Sequence, residues 1–146
     1  MSDKSSVAVE KFMSGFNCAQ SVISVFCEET GTSDDMALKI SCGLGGGMGR
    51  NQEVCGAVTG GILVLGLRHG RGVNDEPSET MFTYQKTSEF MSRFAERNGS
   101  YICRDLLNGC DLNTEAGQQE FKGKELKYSI CKVCIESAVE ILEEIQ

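Results

Sequence analysis

Histidine and proline occur once each in this chain of 146 residues, and aromatic residues make up only 7% of it. A single histidine (His69) does not support a His-rich metal site or a nucleophilic triad in its usual form, although a Cys55–His69 dyad stays open. His69 itself reads as a solvated loop residue beside Arg68 and Arg71. No Cys-x-x-Cys-His occurs, which excludes covalent c-type haem. Basic stripes interleaved with aromatics are absent and the net charge is −7, so nucleic acid is not an expected partner. The longest apolar stretch, Val54 to Leu67, contains four glycines and is too short to span a bilayer. No apolar segment follows Met1-Ser-Asp-Lys-Ser-Ser, so no signal peptide and a cytoplasmic location are expected.

Cysteine, in contrast, is plentiful: eight residues, with no export signal to suggest a disulfide scaffold. A chain of this length buries a core without staples. Redox exchange or metal ligation is therefore the expected use of the thiols.

The single proline and the many Ala, Leu, Met, Glu and Lys residues predict an all-α fold. We expect one domain over 1–146, a bundle of about five to seven helices around a central glycine-containing apolar helix. The first helix is expected over Ser5 to Gly15. Asn17 caps a second, which Gly31 closes, and Ser33 with Asp34 and Asp35 opens a third that runs out at Cys42. The central helix should start near Glu53 and end between Gly66 and Gly70, with a strand over Ile62 to Leu67 as the alternative. Its Gly56 and Gly60 share a face and let another backbone approach. Pro77 fits the first turn of a helix carrying Phe82, Phe90 and Phe94 and stopping at Asn98-Gly99. A short helix holds Cys103, Leu106 and Leu107. Residues 109–127 read as polar, with loop-like ends, before a last helix from about Ser129 to Ile145.

Cys55 is the leading candidate for chemistry. It lies at the start of a helix, where free N–H groups and the dipole stabilise a thiolate, and Gly56 leaves room around the sulfur. Cys42 precedes Cys55 by twelve residues, five of them glycine, so a glycine hairpin brings the two within reach. The run Gly45, Gly46 and Gly47 favours close backbone approach to a bound group. Phosphate fits poorly, because neither a Walker A nor a G-x-G-x-x-G pattern is present. Cys131 and Cys134 form a C-x-x-C on one helix face, suited to a dithiol or to two metal ligands. Cys18 also stands at a helix start. Cys27 reads as a core thiol, and Cys110 as an exposed bystander in a turn.

These residues also resemble a known family. Asn17-Cys-Ala-Gln20, Gly45-Gly-Gly-Met-Gly-Arg50, Cys55-Gly-Ala-Val-Thr-Gly60-Gly, Gly66-Leu-Arg-His-Gly70 and Cys103-Arg-Asp-Leu-Leu107 are similar to the C_GCAxxG_C_C family of redox-active proteins. Val54 stands before Cys55 where the family name's order has glycine. The resemblance covers nearly the whole chain and implies a small helical prokaryotic domain. Its recurring cysteines fall on Cys18, Cys55, Cys103 and Cys131, with Cys42 as a fifth, while Cys27, Cys110 and Cys134 are particular to this chain. A related domain accompanies haem-binding segments in split-Soret cytochromes, which keeps electron transfer in view.

Three functions compete on this reading. In the first, thiol–disulfide exchange with a redox partner protein, Cys55 attacks, Cys42 or Cys18 resolves, and Cys103 and Cys131 stand nearby. In the second, an iron–sulfur cluster or zinc ion is held by Cys18 or Cys42 with Cys55, Cys103 and Cys131, Cys134 being a further ligand candidate. The third is a non-catalytic interaction module with buried thiols. A homo-oligomer is compatible with all three.

Overall fold

The computed structural model describes residues 2–146, and Met1, the first residue of the expected 1–146 domain, lies outside them. The fold is all-helical, and local caps explain where most helices begin. Ser2 accepts from the Ser5 N–H and opens α1 (Asp3–Met13), earlier than the expected Ser5. Asn17 and Gln20 form a capping box at the head of α2 (Cys18–Ser24). The expected long second helix is in fact two, because the chain breaks at Val25–Phe26 and resumes as α3 (Cys27–Thr30). Gly31 closes α3 in the left-handed conformation at φ 67°. Ser33 then caps α4 (Asp34–Ser41).

After a single 3₁₀ turn (Cys42–Leu44), α5 (Gly45–Met48) coils the wrong way. Gly46, Gly47, Met48, Gly49 and Arg50 are consecutive left-handed residues at φ 66°, 69°, 68°, 63° and 64°. The glycine segment is thus a left-handed turn rather than a simple hairpin. Glycine adopts this geometry freely, whereas Met48 and Arg50 each pay about 1–2 kcal/mol for it. The turn is held by the Gln52 and Glu53 amides, which donate to the carbonyls of Gly46 and Gly47 at 3.1 and 3.0 Å.

The fourth expected helix starts at Gly56, not Glu53. Residues 53–55 are engaged elsewhere: the Cys55 amide donates to Tyr101 O at 2.8 Å, and the Cys103 amide to Glu53 O at 2.6 Å. Among the described residues there is no β-strand, only this isolated antiparallel bridge between Val54 and Ile102. Helix α6 (Gly56–His69) includes Ile62 to Leu67, so the strand alternative is not realised. It packs against α2, α7 (Ser78–Asn98) and α10 (Lys132–Glu144). Its contact with α2 needs glycine, since a Cβ on Gly60 would stand 2.6 Å from the Ala19 carbonyl oxygen.

Pro77 caps α7, and Gly99 ends it at φ 90°. Phe90 and Phe94 are buried, but Phe82 is 42% exposed, so the expected aromatic stripe covers only the second half of the helix. A one-turn helix, α8 (Cys103–Leu106), follows. The polar segment 109–127 contains a helix that its composition does not announce, α9 (Glu115–Gly123), capped by Thr114. The last helix is preceded by a wide π-type turn over Lys127–Cys131.

Two apolar clusters result. The larger joins α1, α2, α6, α7 and α10 through Phe26, Phe90, Phe94, Leu65 and Ile141. The smaller gathers Cys103, Leu107, Cys110 and Leu126. Ile130 and Cys131 pack against both. No helix among the described residues is long and apolar enough to cross a membrane.

Candidate functional site

The seam between the two clusters holds a cavity of about 590 Å³. Cys18, Cys42, Cys55, Cys103, Cys131 and Cys134 all line it, with Gly45, Gly46, Gly47 and Gly56 among the backbone that completes the wall. All eight cysteines are free thiols.

Each sulfur arrives there for a local reason. Cys18 is the first residue of α2, and the Asn17 side-chain amide ties that helix start to the Cys42 carbonyl at 2.8 Å. A Cβ on Gly56 would come within 3.1 Å of the Cys18 Cβ, so the start of α6 lies directly against it. Cys55 is the N-cap of α6. Cys103 begins α8 and faces the left-handed turn, where a Cβ on Gly47 would lie 2.8 Å from its own. Cys131 closes the π-type turn and Cys134 sits one turn into α10. Such wide turns adjust which face of a helix points inward.

Four of these thiols are coupled in two pairs, Cys55 with Cys134 and Cys18 with Cys131. The C-x-x-C therefore supplies one member to each pair. These pairings set the electrostatics. The Cys134 hydrogen bond holds the Cys55 thiol below the usual range, aided by the Ala57 and Val58 amides against the opposing cost of burial. The Cys55 sulfur closes no capping hydrogen bond, so these amides act on it as dipoles. Cys134 is pushed strongly up, first by that same hydrogen bond and then by burial. Cys18 is raised well above the usual range by its bond to Cys131 and by burial. Burial is the main cause that pushes Cys103 up to about 12. Cys55 is thus shifted down while Cys18, Cys103 and Cys134 are shifted up.

The donor set suits a soft metal in kind, being all sulfur. Its arrangement does not: the sulfurs meet in pairs, and among the described residues no three His, Cys, Asp or Glu side chains are placed to hold a metal ion together.

A family model for the "Putative redox-active protein (C_GCAxxG_C_C)" matches residues 16–145. The chain belongs to the C_GCAxxG_C_C family. No curated protein and no solved structure matches it.

Around this C_GCAxxG_C_C site, Cys42 stands apart, exposed on the cavity rim and in neither thiol pair. Cys27 is a core thiol that donates to the Ile23 carbonyl at 3.6 Å, with burial the first cause raising it. Cys110 is not an exposed bystander. It is 2% exposed, donates to the Gly117 carbonyl at 3.1 Å, and belongs to the smaller core, because α9 folds over it. His69 is not a solvated loop residue either. It ends α6, its ring stands edge-on to Phe82 at 5.0 Å, and burial, with Lys86 and Arg68 nearby, lowers its proton affinity. The length of α6, about 21 Å, separates it from Cys55 and rules out a dyad.

Three further residues shape the site, of which only Arg50, a positive charge close to Cys55 in sequence, stands out in the sequence. Gln52, buried and at φ 55°, donates to Cys110 O at 2.7 Å and accepts from the Leu112 amide at 2.9 Å. It fastens the left-handed turn to the loop before α9. Arg50 and Lys127 both line the cavity, and among the described residues they are its only ionisable groups other than thiols. Lys127, in a charged, polar stretch, gives no sequence signal of facing a cavity.

Proposed function

We propose that this C_GCAxxG_C_C protein carries out dithiol–disulfide exchange, with Cys55 as the attacking thiolate and Cys134 as the resolving thiol. The observation that carries this reading is that Cys55, at the start of α6, and Cys134, in the first turn of α10, line one cavity, the first thiol lowered and the second raised by their mutual coupling. Attack needs a sulfur already ionised near neutral pH, and resolution needs a second sulfur within reach.

The Cys55 thiolate attacks one sulfur of a disulfide R–S–S–R, forming a mixed disulfide and expelling the first RS⁻. Cys134 holds its proton while the Cys55 charge is beside it. Once the Cys55 sulfur is covalently bound that charge is gone, and Cys134 can pass its proton to the expelled thiolate. The Cys134 sulfur then attacks Cys55, forming the Cys55–Cys134 bond and expelling the second RS⁻, which takes a proton from solvent. Two protein thiols lose two electrons, and the disulfide gains them as two free thiols. The resolving role is given to Cys134 in place of Cys42 or Cys18, since Cys134 is the thiol coupled most strongly to Cys55. Cys18 and Cys131 form a second dithiol, linked to the first through the C-x-x-C, to which the oxidised state can pass.

Mass mapping of protein equilibrated in thiol–disulfide buffers tests this. A reversible Cys55–Cys134 linkage should appear between about −320 and −180 mV. Cys134→Ser should trap the mixed disulfide on Cys55, and Cys55→Ser should slow exchange by at least about 10³-fold, as loss of a nucleophile does. A different first linkage would end the assignment. Iron with acid-labile sulfide, or stoichiometric zinc, in anaerobically purified protein would replace it with cofactor binding.

A further inference from the structure

Resting on that exchange reading, we infer that the substrate is a small aliphatic disulfide bearing carboxylates, taken into the cavity whole, rather than a disulfide presented on another protein.

Burial is the first argument. Cys55 is 6% exposed and Cys134 2% exposed, so the reacting sulfurs are reached through the cavity and not across an open surface. A cavity of about 590 Å³ lies in the size range of small-molecule sites. A disulfide on another protein would have to enter that cavity to reach them.

Charge is the second. The chain carries a net charge of −7, yet the ionisable groups lining the cavity, thiols apart, are Arg50 and Lys127, both cations. Among the described residues neither belongs to an ion pair. Lys127 instead lies over the Phe12 ring at 5.1 Å. Two unpaired cations at a cavity in an acidic protein are poised for an anion, and a guanidinium matches a carboxylate in a bidentate fork.

The placement of Arg50 is built. Its backbone is left-handed at φ 64°, and its carbonyl is gripped by the Asn113 side-chain amide at 2.7 Å. Its stem lies across Gly46, where a Cβ would come within 2.8 Å of the Arg50 Cγ. The remaining wall is largely apolar, with Phe12, Leu106 and Phe121 suited to a short aliphatic chain between carboxylate and sulfur.

Quenched-flow oxidation of the fully reduced protein tests the inference with 4,4′-dithiodibutyrate, its neutral bis-amide, the dication cystamine, and insulin as a protein disulfide. Each rate is normalised to the reaction of the same compound with a free thiol. The dianion should exceed cystamine by about tenfold or more, as steering into a charged cleft does, and insulin should be slowest. Arg50→Gln and Lys127→Gln, checked for folding by circular dichroism, should each slow the dianion, speed cystamine, and compress the ratio at least threefold. Equal normalised rates for dianion and cystamine, an unchanged ratio in both variants, or insulin as the fastest substrate would overturn the inference. Diamide separates the two readings: if it also fails to link Cys55 to Cys134, the exchange reading itself falls and takes the substrate with it.

Discussion

Helix α6 has two ends built on opposite principles. At its N-terminus the chain places a cysteine, glycines and a left-handed turn around the cavity, and among the described residues Arg50 and Lys127 there belong to no ion pair. Near its C-terminus Arg68 is packed and fully engaged. The guanidinium makes two bonds to the Glu29 carboxylate at 2.6 and 3.1 Å, donates to Leu142 O at 2.8 Å, and lies 5.1 Å from the Phe26 ring centre. Its side chain is only 8% exposed. The same helix thus joins an end that spends stability on reactivity to an end that supplies it.

Removing Arg68 should break this comparison most visibly. Arg68→Met leaves the Leu142 carbonyl without its donor and should cost about 1 to 3 kcal/mol in urea titrations, as an unsatisfied buried acceptor does, while Glu29 is exposed enough to be solvated alone. The pH midpoint for alkylation of Cys55 should not move, because a helix length of about 21 Å lies between them. A shifted midpoint would show that the two ends are coupled.

The sulfur end has its own signature in pH. Unfolded thiols ionise near about pH 8.5. Cys103 keeps its proton to about 12, and Cys18 and Cys134 are also raised. Above about pH 8.5 the unfolded chain releases protons that the native state retains, so stability falls as pH rises. Cys103 alone should contribute a slope of about 1.4 kcal/mol per pH unit across that window. Cys55 has the opposite sign: its depressed value stabilises the fold above the unfolded thiol range, and that stabilisation is lost as pH falls through its native value. Denaturant midpoints at pH 8 to 11, with Cys103→Ser as the comparison, measure the first effect. An unchanged slope in that variant would place the protonated thiol elsewhere.

Legibility in the sequence divides along the same line. Helices announced by local chemistry were readable: Asn17 with Gln20, Ser33 with two aspartates, and Gly31 and Gly99 as stops. The special position of Cys55 could be read as well, because a helix start is a local feature. Helix α9 was missed because a lone Thr114 in a polar stretch carries little apolar periodicity. The sequence points to Cys42 or Cys18 as the partner of Cys55, Cys42 because its five intervening glycines allow a hairpin. Their left-handed coiling depends on Met48, Arg50 and Gln52 accepting φ above zero, which side-chain identity opposes and only the hydrogen bonds to Gly46, Gly47 and Cys110 explain. The pairing of positions 55 and 134, far apart in sequence, is a product of packing between α6 and α10.

The smallest expected effect discriminates between the two ends most directly. Met48 is 41% exposed and left-handed at φ 68°, so Met48→Gly removes steric strain and little buried surface. Relief of about 1–2 kcal/mol, less about 0.5–1 kcal/mol for the added freedom of the unfolded glycine, should leave the variant more stable by a few tenths to about 1 kcal/mol. Leu67 is equally exposed at 41% but lies in the right-handed body of α6. There Leu67→Gly should destabilise by about 1 kcal/mol, because glycine costs entropy in a helix and relieves nothing. Opposite signs for one kind of substitution, read from paired thermal melts, would show that the sulfur end stores strain. Destabilisation by both would mean that the left-handed turn is no costlier than ordinary helix.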